Sequence, residues 1–193
     1  VDLERQKTPY ELVTIEPEQE IEIKNNTVLR AYHTEHTCPS VGYAIVEKRT
    51  KLREEYNGFP QEKLRELKDR GEEITRAFEV PLIANTGDTL PGAHLLRDDV
   101  RTATIIVSEC TFFEPDHRSR AKIGKHLHID DIAEWLRVVE CEHMVLVHVS
   151  RRTHVGFAHK QLADLVGEQL ASRVHLLMDH RANRARYERQ AEE

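Results

Sequence analysis

The feature that most constrains the fold is a series of short apolar runs, each of which ends in a polar cluster. Residues 81–85, 102–108 and 144–149 have the length and the apolar, often β-branched content of buried strands. Residues 130–139 and 157–170 have the spacing of amphipathic helices. This alternation predicts an α/β fold whose sheet carries its functional groups at the strand ends.

Two upstream segments extend this pattern. Residues 27–32 and 41–46 alternate between apolar and polar side chains, as half-buried strands do. Because no repeat or linker interrupts the chain, the sequence predicts a single domain over residues 1–193. Its arginine-rich end, residues 181–193, is expected to form a charged C-terminal helix or tail.

Charge and cysteine content narrow the function classes. The net charge of −6 excludes a globally basic nucleic-acid binder, although it leaves room for a local basic patch. No apolar run approaches the roughly 20 residues that a membrane-spanning helix needs, so no membrane partner is expected. The three cysteines are scattered, which favours a reducing, cytoplasmic location over a disulfide framework.

Three polar clusters carry groups that bind metal ions. His33 and His36 lie in a turn after a strand, Asp88 follows an Asn-Thr-Gly turn, and His148 continues an apolar run. Each has a purely structural alternative, which is a polar turn for the first pair, an Asx turn for Asp88 and a satisfied core histidine for His148. The arginines at 151 and 152 are suited to phosphate, or else form a solvated pair.

Two further clusters are ambiguous on sequence grounds. Glu109 directly follows an apolar strand, where a buried charge needs a partner, although solvation at the strand end would also account for it. The segment His126-Leu-His128-Ile-Asp130-Asp131 is either a degenerate metal-binding motif or a loop that caps the next helix. The chain has no Gly-x-Gly-x-x-Gly, P-loop, Gly-x-Ser-x-Gly or Cys-x-x-Cys motif, which favours a His/Asp metal site.

The order of the clusters is more specific than any one of them. Along the chain they are His36 with Gly42-Tyr43, then Gly87-Asp88-Thr89, Ser108-Glu109-Cys110-Thr111, His128 before a helix, and His148-Val149-Ser150-Arg151-Arg152. This series resembles the C-terminal half of the ribonuclease Z (tRNase Z) branch of the metallo-β-lactamase superfamily. The resemblance covers most of residues 30–155.

The resemblance implies the C-terminal half of an αββα sandwich and a metal-dependent hydrolase that cleaves phosphodiester bonds, as in RNA 3′-end processing. It implies two divalent metal ions, zinc or alternatively manganese. His36 would bind one ion, His148 the other, and Asp88 would bridge them.

The resemblance also assigns the groups that act on the substrate. His128 would protonate the leaving oxygen while Glu109 orients its ring. Ser150 and Arg152 would contact phosphate of an RNA or another phosphodiester substrate.

One departure from the family is large. Its His-x-His-x-Asp-His motif lies upstream of all these clusters and is absent here. We therefore expect the chain alone to be inactive, with a missing N-terminal half or a homodimer partner completing it. Two alternatives are an intact small hydrolase that binds metal through residues 126–131, and a non-catalytic RNA-binding module that uses basic residues 117–126 and 181–186.

Three structural expectations follow from this interpretation. His36, Asp88 and His148 should converge on one point. His128 should lie within hydrogen-bond reach of Glu109, with His126 pointing elsewhere and Asp130 or Asp131 capping the helix. Finally, a sheet face that bears Ile105, Val107, Leu146 and one side of Thr27–Tyr32 should be left uncovered by the chain's own elements.

Overall fold

A computed structural model describes residues 11–190 of the 193-residue chain. The strands are β1 (Glu20–Lys24), β2 (Thr27–Thr34), β3 (Ser40–Leu52), β4 (Thr75–Asn85), β5 (Ile105–Glu109), β6 (His143–Val147) and β7 (Val174–Leu176). The helices are α1 (Gln61–Asp69), α2 (Asp98–Arg101), α3 (Arg118–Gly124), α4 (Ile129–Leu136), α5 (Val155–Val166), α6 (Glu168–Ala171) and α7 (His180–Gln190). Short 3-10 turns cover Glu54–Tyr56, Ala93–Leu96 and Pro115–His117.

The strands form one seven-stranded sheet in chain order. Strands β1 to β4 pair antiparallel, and β4 to β7 pair parallel. The register of β3 and β4 shifts between Ile45 and Val46, opposite Pro81, which has no N–H to donate to the ladder. The parallel half places the ends of β4, β5 and β6 at one edge, as the strand–helix alternation predicts.

The glycine of the Gly42-Tyr43 pair is required by close packing. The ring of Tyr32 lies across Gly42, and a Cβ added there would lie 2.3 Å from the ring. The Tyr32 hydroxyl donates a hydrogen bond of 3.0 Å to the carbonyl of Asn85, so the ring ties β2 across β3 to the end of β4. Burial raises the pKa of Tyr32 well above its usual range.

One face of the sheet packs against helices and forms the core. Tyr32, Ala44, Ile106 and Leu146 from the strands belong to the same buried cluster as the apolar face of α4 and residues of α5. The α4 residues in that cluster are Ile129, Ile132, Trp135 and Leu136. The α/β prediction is confirmed, and the described residues form one sheet with helices on one face, which is half of the predicted sandwich.

The opposite face of the sheet is apolar and partly exposed. Leu29, Ile45, Ile83 and Ile105 pair in register across four neighbouring strands, and each is only half-buried. Val107 is half-buried as well. We call this surface the open face. Partial exposure of Ile105 and Val107 agrees with the expectation.

The same expectation was wrong for Leu146, which is 0% exposed. Leu146 pairs with Ser108, whereas Val107 pairs with Val145. Since successive side chains alternate between the faces of a strand, Leu146 points toward the helices and Val145 toward the open face.

Several predicted elements differ from the observed ones. Predicted strand residues 102–104 precede β5, and β3 and β4 extend well beyond the predicted residues 41–46 and 81–85. Residues 157–170 form two helices, because Gly167 adopts a φ of 78° that ends α5. Residues 181–190 of the predicted C-terminal segment lie in α7, and residues 191–193 lie outside the described residues. Within the described part of the chain, no helix is long and apolar enough to cross a membrane.

Asp99, a nearly buried carboxylate, joins the sheet to α2. It accepts hydrogen bonds from Arg30 at 3.1 Å and from Arg97 at 3.0 Å. Burial alone would raise the pKa of Asp99, but the two guanidinium groups outweigh it and hold the pKa below its ordinary value. We expect Asp99→Asn to cost about 2 kcal/mol, since it removes charge-assisted hydrogen bonds from two arginines that keep other glutamate partners.

The pH dependence of this loss has a definite sign. A carboxylate with a depressed folded-state pKa stabilises the fold above its unfolded pKa, and this contribution is lost as the pH falls below that value. The difference in unfolding free energy between wild type and Asp99→Asn should therefore be constant at neutral pH and shrink below about pH 4. Urea titrations at several pH values measure it, and a difference that grows on acidification would contradict the assignment.

Candidate active site

The candidate site lies at the edge where several strands end. His36 follows β2, Asp88 follows β4, Glu109 is the last residue of β5, and His148 follows β6. His126 enters the same space from the loop between α3 and α4. The strand ends fix the positions of these groups, while the loops supply most of the side chains.

His36, Asp88 and His126 form the first candidate metal group. One ligand atom of each lies within 4.8 Å of the other two. The Nδ1 of His36 donates a hydrogen bond of 2.9 Å to the carbonyl of Lys125, which leaves Nε2 with a free lone pair. Such a backbone contact is the usual way in which a metal-binding histidine is oriented.

The sequence allowed Asp88 to be either part of an Asx turn or a metal ligand, and the structure is compatible with both roles. Gly87 has a φ of 59°, and its N–H donates a 2.9 Å hydrogen bond to the side chain of Asn85, which forms an Asx turn. Asp88 is nevertheless partly exposed, and its carboxylate lies 3.4 Å from Nδ1 of His148. The turn therefore directs the carboxylate toward the histidines instead of excluding a functional role.

Glu109 is buried and organises the site. Its carboxylate accepts hydrogen bonds from the backbone N–H groups of Thr89 and Leu127 at 3.2 and 2.9 Å, and from Nδ1 of His126 at 3.0 Å. It also accepts from the N–H and hydroxyl of Thr111 at 3.1 and 2.8 Å. Burial raises the pKa of Glu109, and the hydrogen bonds from Leu127, Thr111 and Thr89 oppose that rise.

His148 lies directly after β6 and is exposed, so the prediction of a histidine inside the strand was wrong. Its φ of 55° is uncommon for a residue with a side chain, and it turns the ring toward the site. The Thr111 hydroxyl lies 2.9 Å from Nδ1 of His148 and gives its proton to Glu109. It must therefore accept from Nδ1–H, which leaves Nε2 of His148 available.

The predicted metal ligands approach one another, but His36 and His148 belong to different candidate metal groups, so their convergence on one point stays a prediction. Asp88 lies near both His36 and His148, and His126 lies between the two histidines, with ring centroids 4.9 Å from His36 and 5.1 Å from His148. Glu109, His126 and His148 form a second group whose ligand atoms lie within 4.8 Å of one another.

The predicted position of His128 was wrong. It is 1% exposed and occupies the N-cap of α4, where its Nδ1 accepts from the N–H of Asp130 at 3.2 Å. Its Nε2 donates to the carbonyl of Glu114 at 3.0 Å. Both ring nitrogens are used by the fold, and His126 holds the place beside Glu109 that was expected for His128.

The prediction that Asp130 or Asp131 caps the helix holds only in part. The Asp131 side chain accepts a 2.9 Å hydrogen bond from the N–H of His128 and completes a capping box, although the N-cap itself is the histidine. Asp130 forms an ion pair with Arg118. Neither belongs to a candidate metal group among residues 11–190.

Ser150 and Arg152 line a cleft of about 480 Å³ beside His148. The other residues that line it are Thr111, Phe112, His117, Arg120, His148, Val149 and Arg151. Sequence reasoning gave Thr111 no role of its own, placed Arg120 only within the alternative RNA-binding stretch of residues 117–126, and expected His126 to point elsewhere. The Thr of Ser-Glu-Cys-Thr was a usable signal, because a hydroxyl two residues after a buried glutamate is placed to bond back to it.

Comparison with known proteins identifies relatives of the chain. No protein-family model matches it. The chloroplastic tRNase Z TRZ2 of Arabidopsis thaliana is 32% identical over 148 residues, which cover 75% of this chain and 42% of that protein. tRNase Z TRZ1 of the same plant is 29% identical over 167 residues, which cover 85% and 58%. The chain therefore spans about half the length of these relatives.

A solved structure shows the same fold. The metallo-beta-lactamase fold protein YhfI of Bacillus subtilis matches with a TM-score of 0.55 at 12% identity, over 85% of this chain and 52% of its own. This similarity supports the fold and not the activity. The chain is therefore related to the ribonuclease Z (tRNase Z) proteins and has part of the metallo-β-lactamase fold.

Proposed function

We propose that this chain is the C-terminal half of a metal-dependent phosphodiesterase of the ribonuclease Z type, which processes RNA 3′ ends once the active site is complete. The observation that carries the proposal is the approach of His36, Asp88, His126 and His148 around the buried Glu109 at the strand ends. The similarity to two tRNase Z proteins supports the substrate class.

The donor set fits divalent metal ions. His36 would hold one ion and His148 the other, and Asp88, which lies near both histidines, would contribute its carboxylate. Zinc is the favoured ion because two of the three donors are imidazoles, and manganese is the alternative. When bound, such ions supply an activated water and neutralise charge on the phosphate.

His126 takes the role that the sequence gave to His128. It would donate a proton to the leaving oxygen as the P–O bond breaks. Glu109 accepts from its Nδ1–H at 3.0 Å, which fixes the ring and directs Nε2 into the site. Ser150 and Arg152 would bind phosphate from the adjoining cleft.

The open face supports the proposal that a second half of the enzyme packs against this chain. Its apolar residues are half-exposed, and His175, which pairs with Val145 on this face, has a buried Nδ1 with no hydrogen-bond partner among residues 11–190. Burial lowers the pKa of His175 to about 4. An N-terminal half would cover this face and add metal ligands, and a second copy of the chain is the alternative occupant.

The other functional interpretations receive less support. A metal site built from residues 126–131 would need His128, and both of its ring nitrogens are already hydrogen-bonded within the fold. A purely structural RNA-binding module would not need His36, Asp88 and His126 within 4.8 Å of one another.

The state of the cysteines bears on the location of the protein. Cys38, Cys110 and Cys141 are all unpaired, which supports the proposed cytoplasmic location.

Reconstitution tests the proposed function. Mixed or co-expressed with its N-terminal half, the chain should cleave 3′-extended precursor RNA in the presence of zinc or manganese, whereas the chain alone should not. A chelator should abolish the cleavage, and readdition of metal should restore it. Gel analysis of the RNA 3′ end provides the measurement. Cleavage that persists with metal removed would contradict the proposal.

A further inference from the structure

We propose that the cleft beside His148 is a nucleotide subsite that holds single-stranded RNA next to the scissile phosphate. One base would stack on Phe112, and Arg120, Arg151 and Arg152 would bind the flanking phosphates. This inference rests on the proposed function, because that function makes the neighbouring site a phosphodiesterase centre.

The first observation that supports this proposal is the unpaired positive charge of the cleft. Arg120, Arg151 and Arg152 all line it, and no carboxylate among residues 11–190 lies within 4.0 Å of their guanidinium groups. Arg118, on the same helix as Arg120, is by contrast paired with Asp130 and Asp131. Guanidinium groups left free around one concave surface favour a polyanion as the ligand.

The walls of the cleft are held in place by a chain of hydrogen bonds. Glu114 lies 3.1 Å from Nδ1 of His117, and Nε2 of His117 lies 3.1 Å from Nη1 of Arg120. Because the carboxylate accepts from Nδ1–H, Nε2 is left to accept from Arg120. The same Glu114 accepts from the hydroxyl of Thr153 at 3.2 Å, which joins the α3 side of the cleft to the segment after β6.

An aromatic surface distinguishes this cleft from a simple anion site. Phe112 is half-buried, and its ring makes edge contacts with His117 at 5.8 Å and with His126 at 6.3 Å. Val149 adds a second apolar side chain to the lining. The combination of a stacking surface and free arginines matches the way proteins bind single-stranded nucleic acid. The contact with His126 places such a base beside the candidate catalytic group.

The test measures binding without catalysis. Fluorescence anisotropy of a labelled single-stranded RNA, in the presence of EDTA, reports affinity of the chain for the strand. An abasic strand of equal length keeps the phosphates but lacks bases. Phe112→Leu removes the ring while keeping an apolar side chain, and Phe59→Leu is the matched control, because Phe59 is also half-buried but lies far away in sequence, before α1.

We expect Phe112→Leu to weaken binding of the ordinary strand about tenfold and to leave binding of the abasic strand unchanged. Phe59→Leu should alter neither. Arg120→Gln should weaken both strands and reduce the salt dependence of binding by about one unit of slope, whereas Arg65→Gln on the exposed surface of α1 should not. Circular dichroism would verify that each variant is folded.

Two results would overturn the inference. If wild type binds ordinary and abasic strands equally, or if Phe112→Leu weakens both equally, the cleft binds anions without contacting a base. If Arg120→Gln changes binding no more than Arg65→Gln, the cleft does not bind the strand. Both results leave the proposed function standing, since that function fails through the absence of metal-dependent cleavage in the reconstituted enzyme.

Discussion

Replacing His126 by alanine is expected to lower kcat for RNA cleavage by the reconstituted enzyme by about 10²–10⁴-fold, the usual contribution of a general acid. His126 contacts Glu109 through Nδ1 at 3.0 Å and lies between His36 and His148. No other histidine among residues 11–190 is hydrogen-bonded to Glu109. Rate measurements under saturating metal, with metal content determined in parallel, provide the test.

The matched control for this variant is His128→Asn. Asparagine is a favourable N-cap residue, so it preserves the start of α4 while removing the imidazole. We expect this variant to keep cleavage activity. A phosphodiester with a good leaving group needs little protonation, so His126→Ala should lose much less activity on it than on RNA. Equal losses on both substrates, or a larger loss in His128→Asn, would contradict the assignment.

Removing Glu109 is expected to produce the largest loss of stability. Glu109→Ala leaves the N–H groups of Thr89, Leu127 and Thr111 without their shared acceptor in a buried site. An unsatisfied buried polar group costs about 1–3 kcal/mol, so we expect a total loss of about 3–5 kcal/mol. Urea unfolding followed by circular dichroism measures this loss.

The matched control is Glu142→Ala, which removes an exposed carboxylate just before β6. It should change the unfolding free energy by less than about 0.5 kcal/mol. The loss of unfolding free energy in Glu109→Gln should lie between those of Glu109→Ala and Glu142→Ala. The amide keeps one acceptor oxygen, but its NH₂ group faces other hydrogen-bond donors. Equal stability of Glu109→Ala and Glu142→Ala would show that the carboxylate does not organise the site.

Much of this site could be predicted from the sequence because most of its functional side chains lie at strand ends. The apolar runs before Asp88, Glu109 and His148 show where the chain enters and leaves the sheet. Parallel strands then bring those ends to one edge whatever the length of the intervening segments. His36 came from the order of the motifs, since no local pattern connects it with Asp88.

The choice between His126 and His128 was beyond the sequence pattern. The two residues are separated by a single leucine, and their separate roles depend on where α4 begins. The sequence favoured an aspartate as the cap, because aspartate is the commoner cap residue. The fold places the His128 imidazole there instead, and its second nitrogen is satisfied by a carbonyl from the loop before α3.

The prediction that Leu146 is exposed was wrong for a related reason. Strand β6 is apolar at nearly every position, so its sequence has no alternation to tell which residues face the helices. The register with β5 sets the phase, and that register is a tertiary property. The break between α5 and α6 depended in the same way on the positive φ of Gly167.

A zinc titration of the chain, measured by calorimetry, tests most directly the central claim that these residues form a metal centre. We predict that Asp88→Asn weakens zinc binding at least tenfold, and that Thr111→Val, which frees Nδ1 of His148, weakens it by about 10–100-fold. His128→Asn should bind zinc as the wild type does. Zinc affinity that is unchanged in Asp88→Asn and lost in His128→Asn would contradict the proposed metal centre.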